Sequence, residues 1–355
     1  MKHSRRSKTR RSKTRRQTRR QTRHALATRM RGGQHPSYEG LSVLVTGGAG
    51  FIGSNLVDAL IAAGAKVRVL DNLRTGKREN LNKAIASGNC EFVNGDICNP
   101  ETCAAACAGM NIVFHEAALV SVPLSMSEPL LNHDINITGT LNMLIAAAAA
   151  GVSRFVYASS AATYGSLPEL PKRESQPRDY PSPYALSKGV DEDYANQWAA
   201  KQELGNGMTC IGLRYFNVYG PRQDPKSPYS GVISIFVDRI ARNTSISVNG
   251  DGSQTRDFVF VGDIVYANML AGKAELEPNQ SRVFNVGTGR SVTLLELVDT
   301  IKHITGNDVE VKHGPERTGD IKHSLSDITK ISTELGYAPK YTLEDGLRLL
   351  IKSLD

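Results

Sequence analysis

The 355-residue chain lacks any long hydrophobic run; its longest apolar stretch, at 144–152, reads "LIAAAAAGV". A membrane-spanning helix needs about 20 apolar residues, so none is expected. Cysteine is scarce and odd in number, at positions 90, 98, 103, 107 and 210. With no signal peptide ahead of them, five cysteines read as reduced thiols of the cytoplasm rather than a disulfide framework. Cys103 and Cys107 are four apart, but no histidine or second close cysteine pair completes a metal site. The alanine-rich "CAAAC" reads as a packed helix, and no metal is expected.

Acidic residues are missing from the whole N-terminus, where the first is Glu39. Of the 43 Lys and Arg, 14 lie in residues 1–31, which leaves 29 against 35 acidic residues, a net charge of −6. The formal +8 therefore belongs to a tail, and the body is mildly acidic. From Ser7 the tail repeats SKTRR, SKTRR, QTRR and QTR. Without apolar residues it cannot build a core, so residues 1–38 are expected to be a disordered basic tail. Two readings stand. The charge suits nucleic-acid binding; alternatively, repeated DNA is translated upstream of a true start at Met30. A transit peptide is disfavoured because residues 2–23 offer no apolar helix face.

The remaining 310 to 320 residues, roughly, are enough to bury about three quarters of the unfolded surface. Short apolar runs at 41–46, 66–70, 91–95, 111–117, 153–159 and 208–215 alternate with helix-like stretches near 51–63, 100–108, 128–150 and 183–204. That alternation predicts a doubly wound parallel sheet of Rossmann type, covered on both faces, over residues 39–216. After Asn217 the segments shorten and mix. Residues 217–355 are expected to form a smaller mixed α/β substrate-binding region, with 254–274 returning to the main sheet.

Chemistry enters at "TGGAGFIG", Thr46 to Gly53, directly after the first strand. Gly47, Gly50 and Gly53 allow a tight turn and bring backbone N–H groups to a pyrophosphate at a helix N-terminus. Asp71 ends the second strand, 18 residues past Gly53. A carboxylate there accepts the hydroxyls of an adenosine ribose and repels a 2′-phosphate, which favours NAD over NADP. Arg74 and Lys77 nearby keep NADP open.

A second group is "SPYALSK". Ser182 is a candidate cap and Pro183 suits the first helical turn. Tyr184 and Lys188 then share a helix face. A free phenol, with a pKa near 10, is a poor base at neutral pH. A nearby ammonium stabilises the phenolate. Ser160 lies 24 residues upstream, at a strand end.

"TGGAGFIG", "DNLRTG", "HEAA", "SSAATYG", "YALSK" and "LRYFNVYGPR" occur in this order. Together they resemble the extended short-chain dehydrogenase/reductase family, over residues 41–355. The likeness is closest to nucleotide-sugar 4-epimerases. "RYFNVYGPRQDPKSPYSGVI", "NGDGSQTRDFVF" and "GDIKHSLSDITK" resemble bacterial enzymes that interconvert UDP-N-acetylglucosamine and UDP-N-acetylgalactosamine.

The resemblance implies an NAD cofactor, a UDP-sugar substrate and a homodimer formed through helices near 128–150 and 183–204. Tyr184 would exchange the proton of the sugar 4-hydroxyl, Ser160 would bond the same oxygen, and Lys188 would hold the nicotinamide ribose. Phe51, Ile52, Asn72, Gly76, Ala117 and Ala118 would join Gly47, Gly50, Gly53 and Asp71 around the cofactor. Asp96 and Ile97 would flank the adenine. Asn217, Arg256 and Arg317 would grip the UDP phosphates and Asp320 the nucleotide ribose. Ser121, Val122, Val232, Asn249, Arg290 and Ser324 would complete the substrate site.

Two alanines then bear on the reaction. Related dehydratases and decarboxylases carry Asp or Glu where this chain has Ala161 and Ala162, because they move a further proton or hold a carboxylate. Tyr184 alone suffices for oxidation at C4 and its reversal. Ser324 falls where a bulky aromatic would exclude an N-acetyl group, and "SVPLS" at 121–125 adds none. A UDP-glucose or UDP-glucuronate 4-epimerase is the near alternative. A nucleic-acid-binding protein using the tail is the alternative of another class. Ala162 and Ser234 depart from the residues usual in close epimerases, Ser or Thr and Pro respectively.

Overall fold

The structure, a computed structural model, describes residues 35–224, 231–316 and 321–354. Contacts divide the chain at 36/37, and residues 37–355 form the second unit. The tail readings for 1–34 lie outside the described residues. Tyr38, placed in the tail by sequence, is fully buried, and its hydroxyl donates to the Met269 carbonyl at 2.8 Å.

Six strands form where apolar runs occur: β1 (Ser42–Thr46), β2 (Lys66–Asp71), β3 (Cys90–Asn94), β4 (Ile112–His115), β5 (Arg154–Ser160) and β6 (Thr209–Tyr215). β1, β4 and β6 are almost wholly buried, as expected of strands covered on both faces. Downstream lie β7 (Asn217–Tyr219), β8 (Ile246–Asn249), β9 (Thr255–Arg256), β10 (Phe258–Phe260), β11 (Ser281–Val286), β12 (Val292–Thr293) and β13 (Val311–Gly314). The main sheet is parallel, in the order β11-β6-β5-β4-β1-β2-β3. The chain reverses direction across this order between β1 and β4, which opens a crevice at the strands' C-terminal ends.

The seventh strand is β11, beyond the stretch 254–274 that the sequence returned to the sheet. Within that stretch β10 pairs with β7, and the helix Val261–Gly272 packs on the sheet and on the helix Phe51–Ala62. The helical stretch at 128–150 is not continuous. It runs as Pro129–Asn132, a π-turn at His133–Thr138 and Gly139–Ala149. Asn136 inside the π-turn exchanges hydrogen bonds with the backbone of Leu119, donating at 3.0 Å and accepting at 2.7 Å. Such wider turns leave room for an inward polar side chain.

Two cores result. Leu44, Leu70, Val113, Met143 and Phe155 fill the sheet core together with Cys103 and Cys107, both on the helix Pro100–Cys107. Phe236, Ile240, Val248, Phe260, Leu297 and Leu350 fill the second, and Phe51 and Ile52 pack against it. No helix among the described residues is long and apolar enough to cross a membrane.

Candidate active site

The glycine turn is shaped by close contact. Gly47 has φ +66°, and a Cβ there would sit 2.7 Å from the Ala117 backbone nitrogen. A Cβ on Gly53 would meet the Gly47 carbonyl and lie 2.8 Å from Gly48 Cα. Only glycine fits at both. Gly50 caps the helix Phe51–Ala62 with no side-chain hydrogen bond and no acid in its first turn. Orphan N–H groups at such a start, with the helix dipole behind them, suit a pyrophosphate.

Asp71 ends β2, and its two oxygens accept from Ala49 N at 2.9 Å and Leu73 N at 2.8 Å. Burial pushes its carboxyl up, against those two amide bonds. Each oxygen retains lone pairs for a ribose hydroxyl. Gly76 lets the following loop close onto Ala49 and Asp71. Asn72 donates to Asp96 at 2.8 Å, and Cys98 N donates to the other Asp96 oxygen at 2.8 Å. Burial would raise that carboxyl, but these bonds and Arg74 hold it below the usual range. Ile97 is buried against Gly139. Ala117 N donates to Thr46 Oγ1 at 3.2 Å, which ties the segment of Ala117 and Ala118 to the turn. Lys77 is engaged by Asp224 at 2.9 Å. A cradle that a Cβ would fill, an open helix start and an acceptor-only carboxylate fit a dinucleotide.

Ser160 is the last residue of β5, and its Oγ accepts from Ala162 N at 3.1 Å, which leaves the hydroxyl proton to be donated. Ala161 and Ala162 begin the short 3-10 turn that follows and contribute no acid. The helix Pro183–Ala200 starts as its sequence dictates. Ser182 Oγ accepts from Ala185 N at 3.2 Å, and Pro183 takes the first position. Tyr184, one residue later, is 9% exposed, so its phenol is largely shielded from water. Its backbone N–H donates to Ser125 Oγ at 3.2 Å.

Lys188, one turn on, is buried and donates to Asp191 Oδ2 at 3.2 Å. Burial pushes the Asp191 carboxyl up to about 6, against the pull of Lys188. His115 joins Thr46 Oγ1 at 2.8 Å and Thr140 Oγ1 at 3.1 Å. Burial, and then the Lys188 charge, push it down to about 3, so it is neutral. Sequence reasoning passed over Asp191 and over Glu116 in "HEAA". Glu116 accepts from the Tyr215 hydroxyl at 2.8 Å, and Asn268 donates to that hydroxyl at 2.7 Å. Burial lifts Glu116 to about 7, against Tyr215 and Lys188. The i,i+3 spacing of Lys188 and Asp191 was a signal within reach.

A cavity of about 220 Å³ lies in the second region. Four expected substrate residues line it: Asn217, Val232, Asn249 and Arg256. Sequence reasoning missed Phe236, Ser247 and Gln254 there. Phe236 sits four residues after Val232 on one helix, a period that would have found it. Ser121, Val122, Arg290 and Ser324 do not line this cavity. Ser121 is buried and caps the helix Val122–Ser127 through Leu124 N at 3.0 Å. Val122 and Arg290 are exposed. Ser324 N donates to the Thr255 carbonyl at 3.1 Å, beside Arg256. Arg317 and Asp320 lie outside the described residues. Asp257, also missed, organises the region. Its carboxylate accepts from Thr288 N and Oγ1, Gly289 N, and Ser326 N and Oγ, at 2.5 to 3.1 Å.

Comparison with known proteins agrees with this geometry. The family model described as the NAD dependent epimerase/dehydratase family matches residues 43–287. A putative UDP-glucose 4-epimerase of Methanocaldococcus jannaschii is 40% identical over 311 residues, 87% of this chain and 97% of that one. The structure of a UDP-N-acetylglucosamine 4-epimerase from Methanobrevibacter ruminantium, in complex with UDP-N-acetylmuramic acid, superposes with TM-score 0.83 at 38% identity, covering 89% and 98% of the two chains. That of the Thermotoga maritima UDP-glucose 4-epimerase with UDP-glucose gives TM-score 0.81 at 40% identity, covering 88% and 98%. The chain belongs to the NAD-dependent epimerase/dehydratase family, in the nucleotide-sugar branch of the extended short-chain dehydrogenases/reductases, and is an NAD-dependent UDP-sugar 4-epimerase.

Proposed function

We propose that this enzyme interconverts UDP-N-acetylglucosamine and UDP-N-acetylgalactosamine, uronic forms included, in the cytoplasm for surface-polysaccharide synthesis. Ser324 carries this reading. It is small, and its backbone joins Thr255 next to the cavity-lining Arg256. In the family this chain resembles, a bulky aromatic at this position borders the sugar C2 and excludes an N-acetyl group, whereas serine leaves room for one. The activity named for the Methanobrevibacter ruminantium neighbour supports it. A second reading, a UDP-glucose 4-epimerase, is favoured by the names of the Methanocaldococcus and Thermotoga proteins.

NAD, when bound, supplies the acceptor and donor of the C4 hydrogen. Around it Tyr184 takes the proton of the 4-hydroxyl and later returns it. Lys188 stabilises the phenolate and holds the nicotinamide ribose, and Ser160 donates to the sugar O4. Asn217 and Arg256, facing one cavity, hold the diphosphate while the 4-keto sugar turns over. With alanine at 161 and 162, no second acid drives elimination or decarboxylation. Two copies pair through the helices near 128–150 and 183–204, where Leu130, Ile145 and Leu186 are exposed.

Incubation of purified protein with UDP-N-acetylglucosamine, UDP-glucose and UDP-glucuronate, followed by NMR of the C4 configuration, tests the reading. UDP-N-acetylgalactosamine should form fastest. Faster turnover of UDP-glucose would favour the second reading, and a 4-keto-6-deoxy product would overturn the role given to the alanines.

A further inference from the structure

The cation of the "YALSK" motif does not stand alone. The ammonium of Lys188 donates to Asp191 Oδ2 at 3.2 Å, and both side chains are almost fully buried, at 3% and 1% exposure. Asp191 Oδ1 has no hydrogen-bond partner. Thr140 lies beside the carboxylate and links it, through His115, to Thr46 in front of the glycine turn. A buried carboxylate with one poorly satisfied oxygen, helped only by Thr140 beside it, is costly to bury, so stability alone gives it no rationale.

We infer that Asp191 is a positioning residue that sets how strongly Lys188 acts on Tyr184. Its carboxylate offsets part of the Lys188 charge in a low-dielectric site and fixes the direction of the ammonium. The other groups within electrostatic reach of this pair are His115 and Glu116 at the end of β4, Tyr157 on β5, and Glu192 on the same helix. His115 is neutral, and Glu192 is engaged by Arg214 at 2.7 Å. Glu116 accepts from Tyr215 and, among the described residues, forms no ion pair with Lys188, so Asp191, at 3.2 Å, is the nearest counter-charge to the lysine. The inference rests on Tyr184 being the acid/base.

Asp191→Asn removes the charge at nearly constant shape. Lys188 then acts on Tyr184 unopposed. The acid limb of kcat/KM should move to lower pH by about half to one unit. The absorbance that distinguishes the protein from its Tyr184→Phe variant should develop at lower pH by a similar amount, in the cofactor-free protein as well. Asp191→Glu should restore the parent profile. If Asp191→Asn does not fold, Thr140→Val, which removes a group favouring the ionised carboxyl, should shift the limb the same way by less. A purely structural role would lower activity or stability with the limb unmoved, and that result overturns the inference. Full activity of Tyr184→Phe would instead defeat the acid/base reading beneath it.

Discussion

Asp71 accepts the backbone N–H of Ala49 at 2.9 Å, so the acid at the end of β2 also fixes the glycine turn after β1. The two halves of a dinucleotide cradle are therefore one unit. Asp71→Ala should weaken NAD binding by about tenfold to a hundredfold, because it removes a charged acceptor and leaves two amides unpaired. Calorimetric titration of the cofactor-free protein checks this.

Gly53→Ala should be worse than its size suggests. The added methyl meets the Gly47 carbonyl and Gly48 Cα, which are backbone atoms that cannot move independently. Loss of NAD retention through gel filtration, with the fold kept by circular dichroism, is the expected outcome.

Glu192 accepts from Arg214 at 2.8 and 2.7 Å and from Ser159 at 2.6 Å, joining the catalytic helix to β5 and β6. Arg214→Met takes the two closest charged donors from that buried carboxylate, leaving it Ser159 and Arg178 at 3.6 Å, and should cost about 3 kcal/mol in denaturant unfolding. Breaking only one bond, by Ser159→Ala, should cost about 1 kcal/mol.

His115 gives stability a pH dependence of known sign. Burial holds it neutral, at about 3 in the folded state against about 6.5 unfolded. The unfolded chain therefore binds more protons between those values, and this contribution is lost as pH falls from 6.5 toward 3. The loss approaches about 5 kcal/mol at the acid limit. His115→Gln should flatten this part of the unfolding profile.

Much of this was legible in the residues. β1, β2 and β4 to β6 are apolar runs bounded by turn residues, and period and length suffice for them. The cap at Ser182 and the turn at Gly47 follow from local chemistry. β11 was not legible. It carries Arg282 and Asn285, and its place is fixed by pairing with β6 across the fold. The π-turn at 133–138 was hidden because helical periodicity does not register one wider turn. Asp257 and Glu116 escaped because their partners are distant in sequence, at 288, 289 and 326 for one and at 215 for the other.

Ser324→Tyr tests selectivity without touching the cofactor. Turnover of the N-acetylated UDP-sugars should fall by about a hundredfold while that of UDP-glucose changes little, because the added ring takes the N-acetyl volume. Competition assays with mixed substrates read the ratio directly.

The most direct measurement is the turnover of Tyr184→Phe with NAD bound and its best UDP-sugar saturating. Without the phenolic proton carrier kcat should drop by about a hundredfold to ten-thousandfold, with NAD affinity unchanged. Epimerisation at the parent rate would contradict the account.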